Sequence, residues 1–311
     1  MKRKIVSLIS FVLILGMVLA SCGEDLSAKL LKQRDATGKY LYSEVKKPDP
    51  GTFKGDWTVF NVKTADTDVE KDYYENYYKT LCKKLKEGEG SLKDGQISDY
   101  GRVAIVLTAI GKDPTDVEGY NIFEKLDDME QVINGDVRNP MHALIAAKYC
   151  GYTLKNEVAY AEHIKAAIEN RELFTDGEDE IEKISLALQS MTYYRYLPEV
   201  GVAIDMLISR LYELQKSDGG FGSCGKTAEA LLGICSVGMD PITAAGLQKE
   251  GKNPFTNLLE CVEADGFKKD IKGKNIDIEA TEKAMITLNA HHVFLKERML
   301  FATPEERSEK N

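Results

Sequence analysis

The sequence predicts an all-α protein in which an inner ring of six helices is wrapped by an outer ring of six, an α6/α6 toroid. Three observations carry that expectation. Strand signals are nearly absent, because alternating apolar–polar runs and Asn-Gly hairpins hardly occur. Two kinds of helical period alternate along the chain, one amphipathic and one apolar on every side. The apolar kind recurs at intervals of about 40 to 50 residues, the scale of helix-hairpin arrays.

The first segment stands apart. Lys2-Arg3-Lys4 is basic, Ile5 to Leu19 is almost wholly apolar, and Leu19-Ala20-Ser21-Cys22 resembles the lipobox of bacterial lipoprotein precursors. A basic start, an apolar run and small residues before a cleavage point are what a signal peptidase reads. The run is shorter than the roughly 20 residues of a membrane-spanning helix, which argues against an uncleaved anchor. Residues 1–21 are therefore expected to be a signal peptide. Cys22 becomes the acylated N-terminus of a protein outside the cytoplasm, anchored to the bacterial cell membrane. Residues 22–300 are expected to form the toroid, and 301–311 a polar, disordered tail.

Charge narrows the partners. Without Lys2, Arg3 and Lys4 the basic residues fall from 41 to 38 against 50 acidic ones, leaving a net charge of −12. Nucleic acid would demand clustered Lys and Arg, and so would electrostatic attachment to anionic lipid. The membrane contact is then the acyl chain on Cys22. The remaining cysteines have no CxxC spacing of a zinc or redox site. Cys82, Cys150 and Cys235 read as small buried hydrophobes, one disulfide is possible, and Cys224 in a Gly-rich loop is the one open to chemistry.

Along the chain, the stretch 26–46 is the first amphipathic helix. Val69, Tyr73, Tyr77, Leu81 and Leu85 form the next stripe, and 119–131, 157–170 and 252–263 behave similarly. Val202, Met206, Leu207, Leu211 and Leu214 make another, opposed by Asp205, Arg210 and Glu213. The all-apolar segments include Val103-Ala-Ile-Val-Leu-Thr-Ala-Ile110, Ala143-Leu-Ile-Ala-Ala147 and Ala228-Glu-Ala-Leu-Leu-Gly-Ile-Cys235. They begin near positions 56, 99, 140, 180, 226 and 279. Gly111-Lys-Asp-Pro114 and Gly238-Met-Asp-Pro241 close two of them alike, with Gly as the C-terminal cap and Pro barring continuation. A helix without a polar face is buried on all sides, so these form the inner ring.

Several of these residues carry a family resemblance. Gln215-Lys-Ser-Asp-Gly-Gly-Phe-Gly222 resembles the QW motif of squalene cyclases and the Gly-Gly-Phe turn of protein prenyltransferase β subunits, and Ala264-Asp-Gly-Phe267 echoes it. Thr227-Ala-Glu-Ala230 and Ala280-Thr-Glu282 are similar to the inner-helix starts of that family. Ser98-Asp-Tyr-Gly-Arg102 with Gly111-Lys-Asp-Pro114 is similar to a Gram-positive extracytoplasmic branch of it. The resemblance implies the terpenoid-cyclase type of toroid over roughly residues 50–295, with a central cavity whose mouth lies at the inner-helix N-termini.

The resemblance also implies what chemistry to look for. In place of the cyclase DxDD motif stands Glu180-Ile-Glu-Lys183, with Glu182 at the position of the proton-donating acid. Lys183 stands beside it, and an ammonium favours the carboxylate over the acid. The Asp, Cys and His that hold zinc in prenyltransferases have no counterpart, so no metal and no cofactor is expected. The acidic loop Asp176-Gly-Glu-Asp-Glu180 reads as a solvated turn without the spacing of a full calcium loop.

The candidate ligand-binding residues are those at the mouth: Trp57, Asp99, Arg102, His142, Thr227, Glu229 and Glu282. Asp99 and Thr227 can equally be helix caps. Arg102 and Glu229 sit at equivalent positions inside apolar runs, where a charge must be paired or face a cavity. The expected function is a surface-anchored binding module for a small amphipathic molecule, a cell-wall fragment or an envelope protein. The alternative is an extracytoplasmic terpenoid cyclase-like or carbohydrate-active enzyme with Glu182 as general acid.

Overall fold

The structure is a computed structural model that describes residues 26–308. The basic start, the apolar run, Cys22 and residues 309–311 lie outside the described residues. Within them the chain is α-helical, apart from a small antiparallel hairpin that pairs Val262–Glu263 with Gly266–Phe267.

The apolar segments form helices α2 (Phe53–Thr64), α4 (Ile97–Ala109), α7 (Arg138–Cys150), α9 (Glu180–Met191), α11 (Cys224–Ser236) and α13 (Ile278–Phe294). Each starts within a few residues of its expected position. The starts are set by local capping. Thr52 Oγ1 accepts from the Gly55 N–H at 3.1 Å, Ser223 Oγ from Lys226 N–H at 3.2 Å, and Asp277 Oδ1 from Ala280 N–H at 2.8 Å. The ends use glycine where the chain must turn left-handed: Gly111 and Gly238 have φ of 76° and 75°.

These six helices pack in chain order, α2 on α4, α4 on α7, α7 on α9, α9 on α11 and α11 on α13, and α13 returns to pack on α2. Their middles are buried, as the lack of a polar face requires.

Amphipathic helices lie against them. Residues 26–44 form α1, followed by α3 (Tyr73–Glu87), α8 (Glu157–Glu169) and α10 (Pro198–Leu214). Helix α3 buries Tyr73, Tyr77, Leu81 and Leu85, the stripe legible in the sequence. Helix α10 turns a different face inward. It buries Val200, Ala203, Ile204, Leu207, Ile208 and Leu211, while Val202 is 62% exposed.

Two stretches expected to be amphipathic helices are broken. Residues 119–131 hold the short α5 (Phe123–Leu126) and the start of α6 (Met129–Ile133). In 252–263 the helix is only α12 (Pro254–Leu259), with the hairpin after it.

The glycine-rich motif has a structural job. Gln215 Nε2 donates to the carbonyls of Gly219 and Leu247, both at 2.9 Å, tying the end of α10 to the loop ahead of α12. The Phe221 N–H then donates to Thr227 Oγ1 at 3.0 Å, and in the next repeat the Phe267 N–H donates to Thr281 Oγ1 at 2.9 Å. One device thus fixes two inner-helix starts.

Cys224 is not open to chemistry as the sequence suggested. It opens α11 in a disulfide with Cys261 and is buried in a second, smaller apolar cluster with Phe255 and Phe267.

The polar tail expected from residue 301 begins later. Phe301 and Ala302 are buried, and Pro304–Ser308 is helical (α14). The Phe301 ring lies 5.6 Å from Phe60, 6.0 Å from Tyr149 and 6.3 Å from Trp57. Burial of an aromatic ring against three others favours this packing. Arg307 secures the segment by donating to Tyr149 O at 2.9 Å. Among the described residues no helix is long and apolar enough to cross a membrane.

Candidate functional site

A cavity of about 390 Å³ opens among the inner helices, and all six contribute to its wall. Its polar part comes from their first two turns: Arg102 on α4, Arg138, Asn139 and His142 on α7, Glu182 and Ser185 on α9, Glu229 on α11 and Lys283 on α13. Most of the remaining wall is apolar, with Trp57, Ile105, Ile145, Leu186, Leu232, Ile286 and Phe301, although Gln189 in the third turn of α9 is polar. The gradient from charge to hydrocarbon follows from the helices themselves. Their N-terminal turns hold the few charges of otherwise apolar sequences.

The charges stand in pairs that bridge neighbouring elements. Lys283 Nζ is 2.8 Å from Glu229 and 2.7 Å from Glu279. Arg138 Nη1 donates to Glu182 Oε2 at 2.9 Å, and its Nη2 to Asp136 at 2.6 Å. Arg102 donates through Nη2 to Asp99 and lies 3.5 Å from Asp56 through Nε. Phe53 lies between two cations, with Arg102 5.6 Å and Lys283 5.7 Å from its ring centre.

Burial sets the protonation of several groups. It drives His142 down to about 3, assisted by the guanidinium charges of Arg102 and Arg138, so the imidazole is neutral and offers one donor and one acceptor. It raises Glu229, with Lys283 pulling the other way. For Lys283 burial favours the neutral amine, but Glu229 and Glu279 outweigh it and hold the ammonium above its ordinary value.

Asp56 sits behind the wall, fully buried, accepting from Tyr77 Oη at 2.8 Å and from the Gly51 N–H at 2.9 Å. Burial raises it to about 7 despite Arg102. Its Oδ2 and the Arg102 Nε are both buried without a hydrogen bond.

Five of the expected site residues meet at the cavity: Trp57, Arg102, His142, Glu182 and Glu229. Three do not line it. Asp99 serves α4 itself, accepting from the Gln96 N–H at 2.8 Å while it holds Arg102. Thr227 is fully buried and clamps the Phe221 turn. Glu282 is fully buried against α2, accepting from Thr58 Oγ1 at 2.5 Å.

Lys283 takes the place expected for Glu282, because one residue along a helix swings a side chain by about 100°. A signal for it was present: Arg102, Glu229 and Lys283 are each the sixth residue of their helix. Arg138 opens α7 beside Asp136, and its role was legible only in that short charged pair. Phe301 gave no signal, since it reaches the cavity from the far end of the chain.

The acidic loop is pinned. Glu180 is 2.7 Å from Arg210, which also holds Asp176, and Glu178 pairs with Lys226. Among the described residues no group of three His, Cys, Asp or Glu is placed to hold a metal ion.

Glu182, the candidate general acid, is bound to Arg138. Ser185 Oγ donates to the Glu229 carbonyl at 2.6 Å, tying α9 to α11. The arrangement can select a ligand by charge at the mouth, by neutral hydrogen-bonding groups midway and by apolar fit at depth. The chain matches no protein-family model and no curated protein.

Proposed function

We propose that this chain is a ligand-binding module on an α6/α6 toroid, carried outside the cytoplasm as a lipoprotein. The observation that carries the reading is the cavity to which all six inner helices contribute, charged at one end and apolar at the other. The toroid is supported by the packing order of those helices, which runs from α2 to α13 and back to α2. The resemblance to the squalene cyclase and prenyltransferase toroids rests on the Gln215–Gly222 motif and its echo at Ala264–Phe267.

The address rests on Lys2 to Cys22, and the Cys224–Cys261 disulfide favours an oxidising compartment. Binding is favoured over catalysis because Glu182 and Glu229 are each held in an ion pair.

Native mass spectrometry of residues 22–311 with Cys22→Ser, purified gently from the source organism, tests this. The expected result is a retained small molecule that is lost from Leu186→Trp, which fills the cavity while circular dichroism stays unchanged. A clean apo mass, together with no response of Trp57 fluorescence to an apolar dye, would overturn the reading.

A further inference from the structure

The cavity mouth has two electrical poles. On α4 and α7, Arg102 and Arg138 flank His142, whose proton affinity both guanidinium charges depress. On α9 and α11, Glu182 and Glu229 stand close enough that the charge of the first raises the second. Lys283 compensates Glu229 from α13.

No pole is free of its opposite. A lone anion placed beside Arg102 and Arg138 also meets Asp99, Asp136 and Glu182, and a lone cation beside Glu229 meets Lys283. Such a ligand would be attracted and repelled in nearly equal measure. A ligand carrying both charges can be oriented so that each faces its complement. A charge entering a half-buried site must also be paired to repay its desolvation.

Arg102 adds a second observation. Its side chain is only 9% exposed and lines the cavity, and its buried Nε makes no hydrogen bond. That Nε faces Asp56 Oδ2 at 3.5 Å behind the wall and Nη2 holds Asp99, so Arg102 meets the cavity as a guanidinium already paired on two sides. Beneath the charges lie Trp57, Ile105, Ile145, Leu232, Ile286 and Phe301, a floor suited to hydrocarbon.

We infer that the ligand is an apolar zwitterion, an α-amino acid or short peptide, whose carboxylate faces Arg102 and Arg138, whose ammonium faces Glu182 and Glu229, and whose side chain lies on the Trp57–Phe301 floor. This rests on the cavity being a ligand site. The neutral His142 supplies a donor or an acceptor between the poles.

Trp57 is the sole tryptophan, so its fluorescence reports the floor directly. The test titrates the wild-type protein at pH 6.5 with four compounds sharing one side chain: L-leucine, N-acetyl-L-leucine, L-leucinamide and N-acetyl-L-leucinamide. L-Leucyl-L-leucine forms a fifth arm. L-Leucine or the dipeptide is expected to bind at least about tenfold more tightly than any compound lacking one charge, a difference of about 1.4 kcal/mol. The tighter of the two identifies the free amino acid or the peptide as the source.

Glu229→Gln and Arg138→Gln are each expected to erase most of that preference while leaving the uncharged compound unaffected. Equal binding by the N-acetyl or amide compounds would overturn the zwitterion and leave the binding module standing. No response to any of the five compounds, with a different molecule retained in native mass spectrometry, would do the same. No response and no retained molecule would overturn both.

Discussion

The seam between α2 and α13 and the seam between α4 and α7 do the same architectural job with opposite chemistry. At α4–α7 the packed helices have buried, apolar middles, Val103 to Leu107 and Ala143 to Ala147, and among the described residues polar contacts come only from Cys150, with Thr108 and the Ala104 carbonyl. Gly101 lets the helices approach until a Cβ on it would stand 3.3 Å from the His142 carbonyl. At α2–α13 the contact is a chain of directed bonds. Arg34 of α1 donates to Asn289 at 2.8 Å and to the Thr64 carbonyl at 2.9 Å. Asn289 donates to Asn61 at 3.2 Å, Asn61 to the Glu282 carbonyl at 3.2 Å, and Thr58 to the Glu282 carboxyl at 2.5 Å.

The apolar seam joins helices near in sequence. The polar seam joins the two ends of the described chain, with Arg34 and Asn289 255 residues apart. Apolar contacts alone tolerate sliding, whereas hydrogen bonds between buried groups are costly to mismatch. The difference teaches that directional bonds are concentrated where the chain has to find a distant partner in one register.

The largest effect is expected from breaking the polar seam. Asn289→Ala leaves the buried Arg34 without its Nε acceptor and should cost about 3 kcal/mol, read from the urea midpoint. Thr108→Val, which removes a 3.0 Å hydroxyl–thiol contact between α4 and α7, should cost less than about 0.5 kcal/mol in the same assay. Equal losses would show that the polar network has no special part in joining α13 to α2.

Acid–base behaviour separates the seams next. Burial raises Glu282 to about 8 from an unfolded value near 4.5, with the Thr58 bond opposing. The folded state therefore binds the extra proton. This contribution is fully present below about pH 4.5 and is lost as pH rises towards 8. Glu282→Gln should match wild type near pH 4.5 and exceed it by a margin that grows steadily as the pH rises towards 8. A constant difference across that window would place the proton elsewhere.

A substitution at Gly101 sharpens the apolar side. Gly101→Ala gains helix propensity but presses on a backbone carbonyl, and a net loss of about 1 kcal/mol is expected in thermal unfolding. A gain would mean that α7 can retreat freely.

Much of this was legible beforehand, and the reasons are local. An apolar run with no polar face states its own burial, and a Ser or Asp before such a run states where the helix starts. That is why the inner helices fall where periodicity put them. Arg102 and Glu229 were legible as cavity residues because a charge inside such a run has few alternatives. The face of α10 was harder to read, since Val202 and Val200 are equally apolar and only the neighbouring helices choose between them. The short helices of 119–131 were misread because the chain turns at Gly119, which has positive φ, and Asp128 then caps a new helix in the middle of an apparently helical period.

By itself, then, the sequence determined the helical class, the helix starts, the alternation of buried and exposed segments, and the charges available to a central site. Tertiary structure alone decided that Lys283 rather than Glu282 faces the cavity, that Cys224 finds Cys261, and that Phe301 joins the cavity wall. The physical reason is distance along the chain. Periodicity and capping act within a few residues, whereas the direction of a side chain, the partner of a thiol and the neighbours of a ring depend on segments that meet only when the chain has folded.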